Sequence, residues 1–126
     1  MFDSIDEYLY YEINMYVRKE KIMDKYEEYS KVMKAIADPN RLKIIDILSC
    51  GELCGYELLE NFEFTQPTLS HHMKNLIECG LVVSRKEGTW SYYRLNLERT
   101  NQMLYFLMGT VTSTNDCICE RCKNKE

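Results

Sequence analysis

The stretch from Phe64 to Leu95, FTQPTLSHHMKNLIECGLVVSRKEGTWSYYRL, constrains the fold more than any other part of the chain. Leu69, Met73, Leu76 and Ile77 recur at i, i+4, i+7 and i+8, the spacing that gives a helix one buried stripe. Thr65 stands where a helix cap belongs, Pro67 lies in the first turn where its missing N–H costs nothing, and Gly80 ends the helix. The opposite face carries Thr68, His71, Lys74 and Asn75. Beyond Gly80, Leu81 to Arg85 is β-rich, Glu87-Gly88 supplies a turn, and Trp90 to Leu95 alternates like a strand. The pattern predicts a helix followed at once by a two-stranded ribbon, with Arg85 and Lys86 at its basic tip.

Upstream, Asp38-Pro39 supplies a cap and a first-turn proline, and Leu42, Ile44, Ile45, Ile47 and Leu48 predict a nearly all-buried helix after them. Ser49-Cys50-Gly51-Glu52-Leu53-Cys54-Gly55 reads as a turn, Tyr56 to Asn61 as a short helix, and Phe62 to Phe64 as a link. A short helix, a brief turn and a second helix with a polar outer face make a helix-turn-helix. Its second helix would enter the major groove, where Gln66, Thr68, Ser70 and His71 offer amide, hydroxyl and imidazole groups to base edges. Lys74 would meet phosphate, and Arg85 and Lys86 would meet phosphate or the minor groove. His71 and His72 point about 100° apart on a helix, so His72 falls at the edge of the core and the two do not pair on a metal.

Both ends look helical. Residues 1–38 contain no Gly or Pro, and Ile5, Leu9, Tyr16 and Val17, then Met23, Tyr26, Met33 and Ile36, predict one long amphipathic helix or two with a break near Lys19 to Lys21. Asn96 can cap a last helix from about Leu97 to Val111, with Leu97, Leu104, Leu107, Met108 and Val111 on or near one side. Apolar surface beyond the core-forming middle implies a partner.

A chain of 126 residues with 45% hydrophobic content supports one core, hence a single domain over 1–126 with a polar tail from about 114 to 126. The net charge of −4 is unevenly spread: residues 64–94 carry 4 basic and 2 acidic side chains, against 8 and 14 before them. Only the proposed DNA-facing segment is net positive. No apolar run approaches the roughly 20 residues of a membrane span, and the start MFDSIDEYLYYE is acidic where a signal peptide is basic, so a cytoplasmic protein without membrane contact is expected. In that compartment six cysteines point to metal ligands or redox groups. No Ser or Cys has an evident base partner, Gly-rich phosphate loop or nucleophile elbow, which argues against an enzyme.

Three stretches carry a resemblance. Pro39-Asn40-Arg41-Leu42, then Thr65-Gln66-Pro67-Thr68-Leu69-Ser70-His71-His72-Met73, then Arg85-Lys86-Glu87-Gly88 resemble the ArsR/SmtB family of winged-helix metalloregulatory repressors, most densely its arsenic-responsive members, from about Ala35 to Asn96. The resemblance implies a mainly α fold with a small β-wing, a homodimer formed by the first and last helices, and double-stranded operator DNA as partner. The zinc-sensing pattern of carboxylates and histidines on the last helix is absent, since Leu97 to Ser113 offers only Glu98. Of the arsenic-responsive Glu-Leu-Cys-x-Cys-Asp motif, Glu52, Leu53 and Cys54 match, and Cys50 matches a further upstream cysteine. Tyr56 replaces the second motif cysteine and Glu57 the aspartate, leaving two thiols of three.

The tail holds the remainder: Cys117, Cys119 and Cys122 pack three thiols into six residues. Thiolates select soft acceptors, so As(III), Sb(III), Cd(II), Pb(II), Zn(II) or Cu(I) fit and Mg and Ca do not. Arg121 and Lys123 favour thiolates there, and Asp116 and Glu120 oppose them. Inert tail thiols and a Cys119-x-x-Cys122 redox pair are the alternatives, and Cys79 is read as a small packed residue. The chain is thus expected to be a homodimeric repressor released from its operator by arsenite, with Cys117, Cys119 and Cys122 as ligands and Cys54 and Cys50 as further candidates. A repressor responsive to Cd(II), Pb(II) or Zn(II), a thiol-disulfide switch, and a metal-buffering protein that binds no specific DNA are the competing readings.

Overall fold

The computed structural model describes residues 22–112. In chain order they form α1 (Ile22–Ile36), α2 (Pro39–Leu48), β1 (Leu53–Cys54), α3 (Gly55–Leu59), α4 (Gln66–Glu78), β2 (Val82–Glu87), β3 (Trp90–Leu95) and α5 (Leu97–Val111). The fold is mainly helical with a small antiparallel sheet, as the sequence leads one to expect. The residues before Ile22, with the helix break near Lys19 to Lys21, and the tail cysteines Cys117, Cys119 and Cys122 lie outside the described residues.

Two packed clusters hold the elements together. In the first, Ile44 and Leu48 of α2, Leu58 of α3, Leu69, Met73 and Leu76 of α4 and Val82 of β2 are all buried, so the helix-turn-helix is fixed to the scaffold through its apolar stripe. In the second, Tyr29 and Val32 of α1 meet Leu81 and Met103 and Phe106 of α5. The Tyr29 ring stacks on Phe106 at 4.5 Å between centroids, and Tyr26 meets the same ring edge-on at 5.9 Å. Arg99 of α5 lies over the Tyr29 ring and pairs with Glu28 at 2.7 Å, which closes the α1–α5 contact at its rim.

The helix ends follow from local chemistry. Asp38 Oδ1 accepts from the N–H groups of Asn40 and Arg41 at 2.9 and 3.1 Å, and Pro39 begins α2. Gly80, at φ +86°, ends α4: its N–H reaches Ile77 O and the Leu81 N–H reaches Leu76 O. These two bonds satisfy carbonyls that the helix leaves open, in a Schellman arrangement. Asn96 Oδ1 accepts from Arg99 N and caps α5, which spans Leu97–Val111 as expected.

Several expectations need correction. The ribbon is three-stranded, in the order β1-β3-β2, because Leu53 and Cys54 pair with Tyr93 and Tyr92 where the sequence suggested only a turn. The hairpin turn is Gly88-Thr89, one residue later than Glu87-Gly88, since Glu87 and Trp90 still pair and Gly88 takes φ +64°. The short helix is Gly55–Leu59 in place of Tyr56 to Asn61, with Cys54 as its cap residue. Thr65 holds the cap position of α4, but its hydroxyl lies 3.4 Å from that of Thr68 and makes no side-chain cap bond. Leu42, expected in the core, is exposed, because α2 buries only the side bearing Ile44 and Leu48. Ile77, placed in the α4 stripe, lies at its edge and is 37% exposed.

Candidate nucleic-acid interface and cysteine segment

The outer face of α4 presents the residues that the sequence assigned to base readout. Gln66, Ser70, His71 and Lys74 are exposed and Thr68 is half-buried. Asn75 Nδ2 donates to His71 O at 2.9 Å, which keeps its amide on that face, and Lys74 lies 4.0 Å from Glu78. The next residue, about 100° around the helix, is His72, which is buried and accepts at Nδ1 from Arg41 Nε at 3.1 Å, while Arg41 Nη1 donates to Ala35 O. Burial, with Arg41 and His71 nearby, pulls the His72 imidazole below its ordinary range despite the opposing charge of Asp38. The two histidines therefore divide as expected, one toward solvent and one toward the core.

On the wing, Lys86 is exposed, and so is Arg85, but the guanidinium of Arg85 is already engaged. Nε and Nη2 reach the Glu52 carboxylate, the shortest bond being 2.6 Å, and Nη1 reaches Glu87 at 3.1 Å. The Tyr92 ring lies beneath it, 4.4 Å from the guanidinium carbon. Hydrogen bonds from Arg85 hold the Glu52 carboxyl below the usual carboxylate range. Sequence reasoning noticed Glu52 only as part of a motif; its partner stands 33 residues away and leaves no local signal. Tyr56 and Trp90 were also missed as a pair: both are exposed, and their rings lie 5.4 Å apart between α3 and the wing tip.

The cysteines fall in distinct settings. Cys50 is exposed just after α2, and Cys54 is buried at the junction of β1 and α3. Glu57 Oε1 accepts from the Cys54 N–H at 3.0 Å, so the pair forms a capping box with cysteine in the usual Ser or Thr place. That N–H, and then the Cys54 thiol, lower the Glu57 carboxyl. Cys79 is half-buried, its thiol directed at Leu76 O, and burial pushes it above the ordinary thiol range, as suits a packed residue. Among the described residues no group of three or more Cys, His, Asp or Glu is placed to hold a metal ion. The Cys50–Cys54 segment supplies two thiols, and Tyr56, where the motif has a third, supplies an outward ring.

An exposed polar reading helix on a buried stripe, with an antiparallel wing beside it, defines a winged helix-turn-helix DNA-binding protein. Residues 38–84 match the family described as bacterial regulatory protein, arsR family. The chain is 48% identical over 101 residues to the arsenical resistance operon repressor of Staphylococcus xylosus, covering 80% of this chain and 97% of that one. It is 41% identical over 87 residues to the Bacillus subtilis arsenical resistance operon repressor, covering 68% and 80%. Among solved structures, a homodimeric winged helix-turn-helix DNA-binding domain from Mycobacterium bovis superposes with a TM-score of 0.59 at 31% identity, over 71% of this chain and 82% of that one. The chain belongs to the arsR family and is a DNA-binding transcriptional regulator. Among the described residues no helix is long and apolar enough to cross a membrane.

Proposed function

We propose that the protein is a homodimeric, cytoplasmic repressor that leaves its operator when trivalent arsenic is gathered by cysteine thiolates. The observation that carries this reading is a placement: the thiol-bearing segment Cys50–Cys54 leads directly into α3, the first helix of the helix-turn-helix, in a chain 48% identical to an arsenical resistance operon repressor. Gln66, Thr68, Ser70 and His71 read bases, Lys74 on α4 and Lys86 on the wing meet phosphates, and Arg85 stands beside Lys86.

The dimer rests on α5. Met103 and Phe106 turn inward, whereas Leu97, Leu104 and Val111, seven residues apart, form one exposed stripe on the opposite side with Met108 beside it. A second copy covering that stripe places two reading helices about one helical turn of DNA apart, so the operator is an imperfect inverted repeat.

Trivalent arsenic takes three thiolates. Cys117, Cys119 and Cys122 in the tail beyond α5 supply that set, and Cys54 and Cys50 are further candidates, in the same site or in a second one. Antimonite and soft divalent ions share the donor preference. Ligation releases DNA only if it favours one arrangement of the reading helices over another, by roughly 1 to 3 kcal/mol or more. The test is release of the full chain from operator duplex, titrated separately with arsenite, Cd(II), Zn(II) and peroxide. Release by arsenite at the lowest concentration supports the reading; release by peroxide alone replaces it with a redox switch.

A further inference from the structure

Cys54, Tyr92 and Arg85 occupy one rung across the three strands, since Tyr92 pairs with Cys54 on β1 and with Arg85 on β2. Residues directly opposite in antiparallel strands share a face. Arg85 therefore crosses the sheet over the Tyr92 ring and reaches Glu52, two residues before Cys54 and two after Cys50.

Exposed ion pairs usually contribute little, because two long side chains must be held still in water. Here the pair is bidentate, a second carboxylate from Glu87 fixes the remaining edge, and a ring supports the face. With Nε, Nη1 and Nη2 all bonded to carboxylates, the charge of Arg85 is offset by Glu52 and Glu87, while Arg94 adds a second cation acting on Glu52. The donor edges of the Arg85 guanidinium are thus already taken up by its own carboxylates. Lys86, beside it and exposed, makes no ion pair among the described residues and remains the wing's cation toward DNA.

We propose that Arg85 is a positioning residue: through Glu52 it ties the wing to the Cys50–Cys54 segment, so that the pose of the wing depends on the pose of that segment. Coupling of this tie to arsenic rests on the reading given under Proposed function. Any rearrangement around Cys50 and Cys54 must carry Glu52 with it and slacken or break the bidentate pair. The wing then loses the restraint that aims Lys86.

The experiment measures affinity of the full-length protein for operator duplex across a range of salt, for wild type, Glu52→Gln, Arg85→Gln, both together, and the exchanged pair Glu52→Arg with Arg85→Glu. A lost tie weakens binding by roughly threefold to tenfold in either single variant, with the double variant no weaker than the singles. The slope of log affinity against log salt stays unchanged, because Lys86 still meets its phosphate in the complex and only the ordering of the wing costs more, and the exchanged pair recovers affinity. Arg85→Gln lowering that slope by about 1, with Glu52→Gln binding more tightly than wild type, would make Arg85 a phosphate contact for which Glu52 competes, and the proposal would fall. For the coupling, Glu52→Gln is expected to bind arsenite with wild-type stoichiometry by equilibrium dialysis yet need about fivefold more of it for release. Identical release curves would overturn the coupling. If arsenite does not release the wild type, the functional reading fails while the salt slopes still decide the tie.

Discussion

Arg41 Nε and His72 Nδ1, 31 residues apart in the chain, are joined by a hydrogen bond of 3.1 Å that pins the reading helix to α2. Because Nδ1 accepts, the ring is neutral with its proton on Nε2. A proton added at Nδ1 would set N–H against N–H beside a fixed positive charge. The folded pKa is accordingly lowered, chiefly by burial and further by Arg41 and His71, against the pull of Asp38.

The sign of the pH effect follows from linkage. Between the lowered pKa and the ordinary value of 6.5, the unfolded chain binds more protons at His72 than the folded one, so stability rises with pH across that window and is complete above it. Urea midpoints for the wild type are expected to fall as pH drops below about 6.5, whereas those of His72→Gln should stay flat until the carboxylates titrate. Glu52 and Glu57, both lowered, lose their contributions only at lower pH, as each passes through its folded pKa. Equal slopes for both proteins between pH 5 and 7 would remove His72 as the source.

Base contacts and phosphate contacts separate by substitution. Gln66→Ala or His71→Ala should lose discrimination between operator and random duplex, each by about 1 to 3 kcal/mol, because on the proposed reading these exposed groups meet base edges. Lys86→Ala should weaken both duplexes alike and lower the salt slope by about 1. Competition binding at two salt concentrations measures both quantities. An equal loss on both duplexes for His71→Ala would remove it from the base-reading set.

Much of this face was legible in the sequence, for a physical reason. Leu69, Met73 and Leu76 announce the inner side of α4 by spacing alone, and once that side is fixed the outer residues follow. Asp38-Pro39 and Asn96 marked helix starts because capping is local chemistry. β1 was not legible: two residues are too short to show alternation, and the strand exists only because β3, some forty residues later, pairs with it. The Glu52–Arg85 pair escaped notice for the same reason. For α5, spacing grouped Leu97, Leu104 and Val111 correctly, but Leu107, placed with them, packs on the chain's own core beside Met103 and Phe106. Spacing finds stripes; the rest of the fold decides which one is covered.

That outward stripe yields an assembly prediction. Leu104 is near the centre of the exposed line from Leu97 to Val111, so Leu104→Glu places a charge where a second copy would bury a leucine. The expected result is a folded monomer by analytical ultracentrifugation, with operator affinity reduced by about a hundredfold or more as the second half-site contact becomes independent. A dimer that persists at micromolar concentration would move the interface elsewhere.

The cysteines give the last prediction. Cys54 is buried and serves as the cap residue of α3, so ligating it would draw the start of the helix-turn-helix toward the ligand, whereas Cys50 is exposed and costs little to recruit. The tail thiols Cys117, Cys119 and Cys122 lie within six residues of sequence that follow α5. On the proposed reading, gathering them on one ion would pull on the helix that carries the outward stripe. Serine at all three tail positions is therefore expected to leave operator binding at the wild-type level and to raise the arsenite needed for release at least tenfold. Cys54→Ser should come next in effect, because serine keeps the capping box and removes only the soft donor. Cys79→Ser should be neutral for release, since its thiol is directed at Leu76 O and burial holds it protonated. Anisotropy of labelled operator during arsenite titration measures all three. If the triple-serine protein lets go at the wild-type arsenite concentration, the tail is not the sensor, and the ligands must be sought at Cys50 and Cys54.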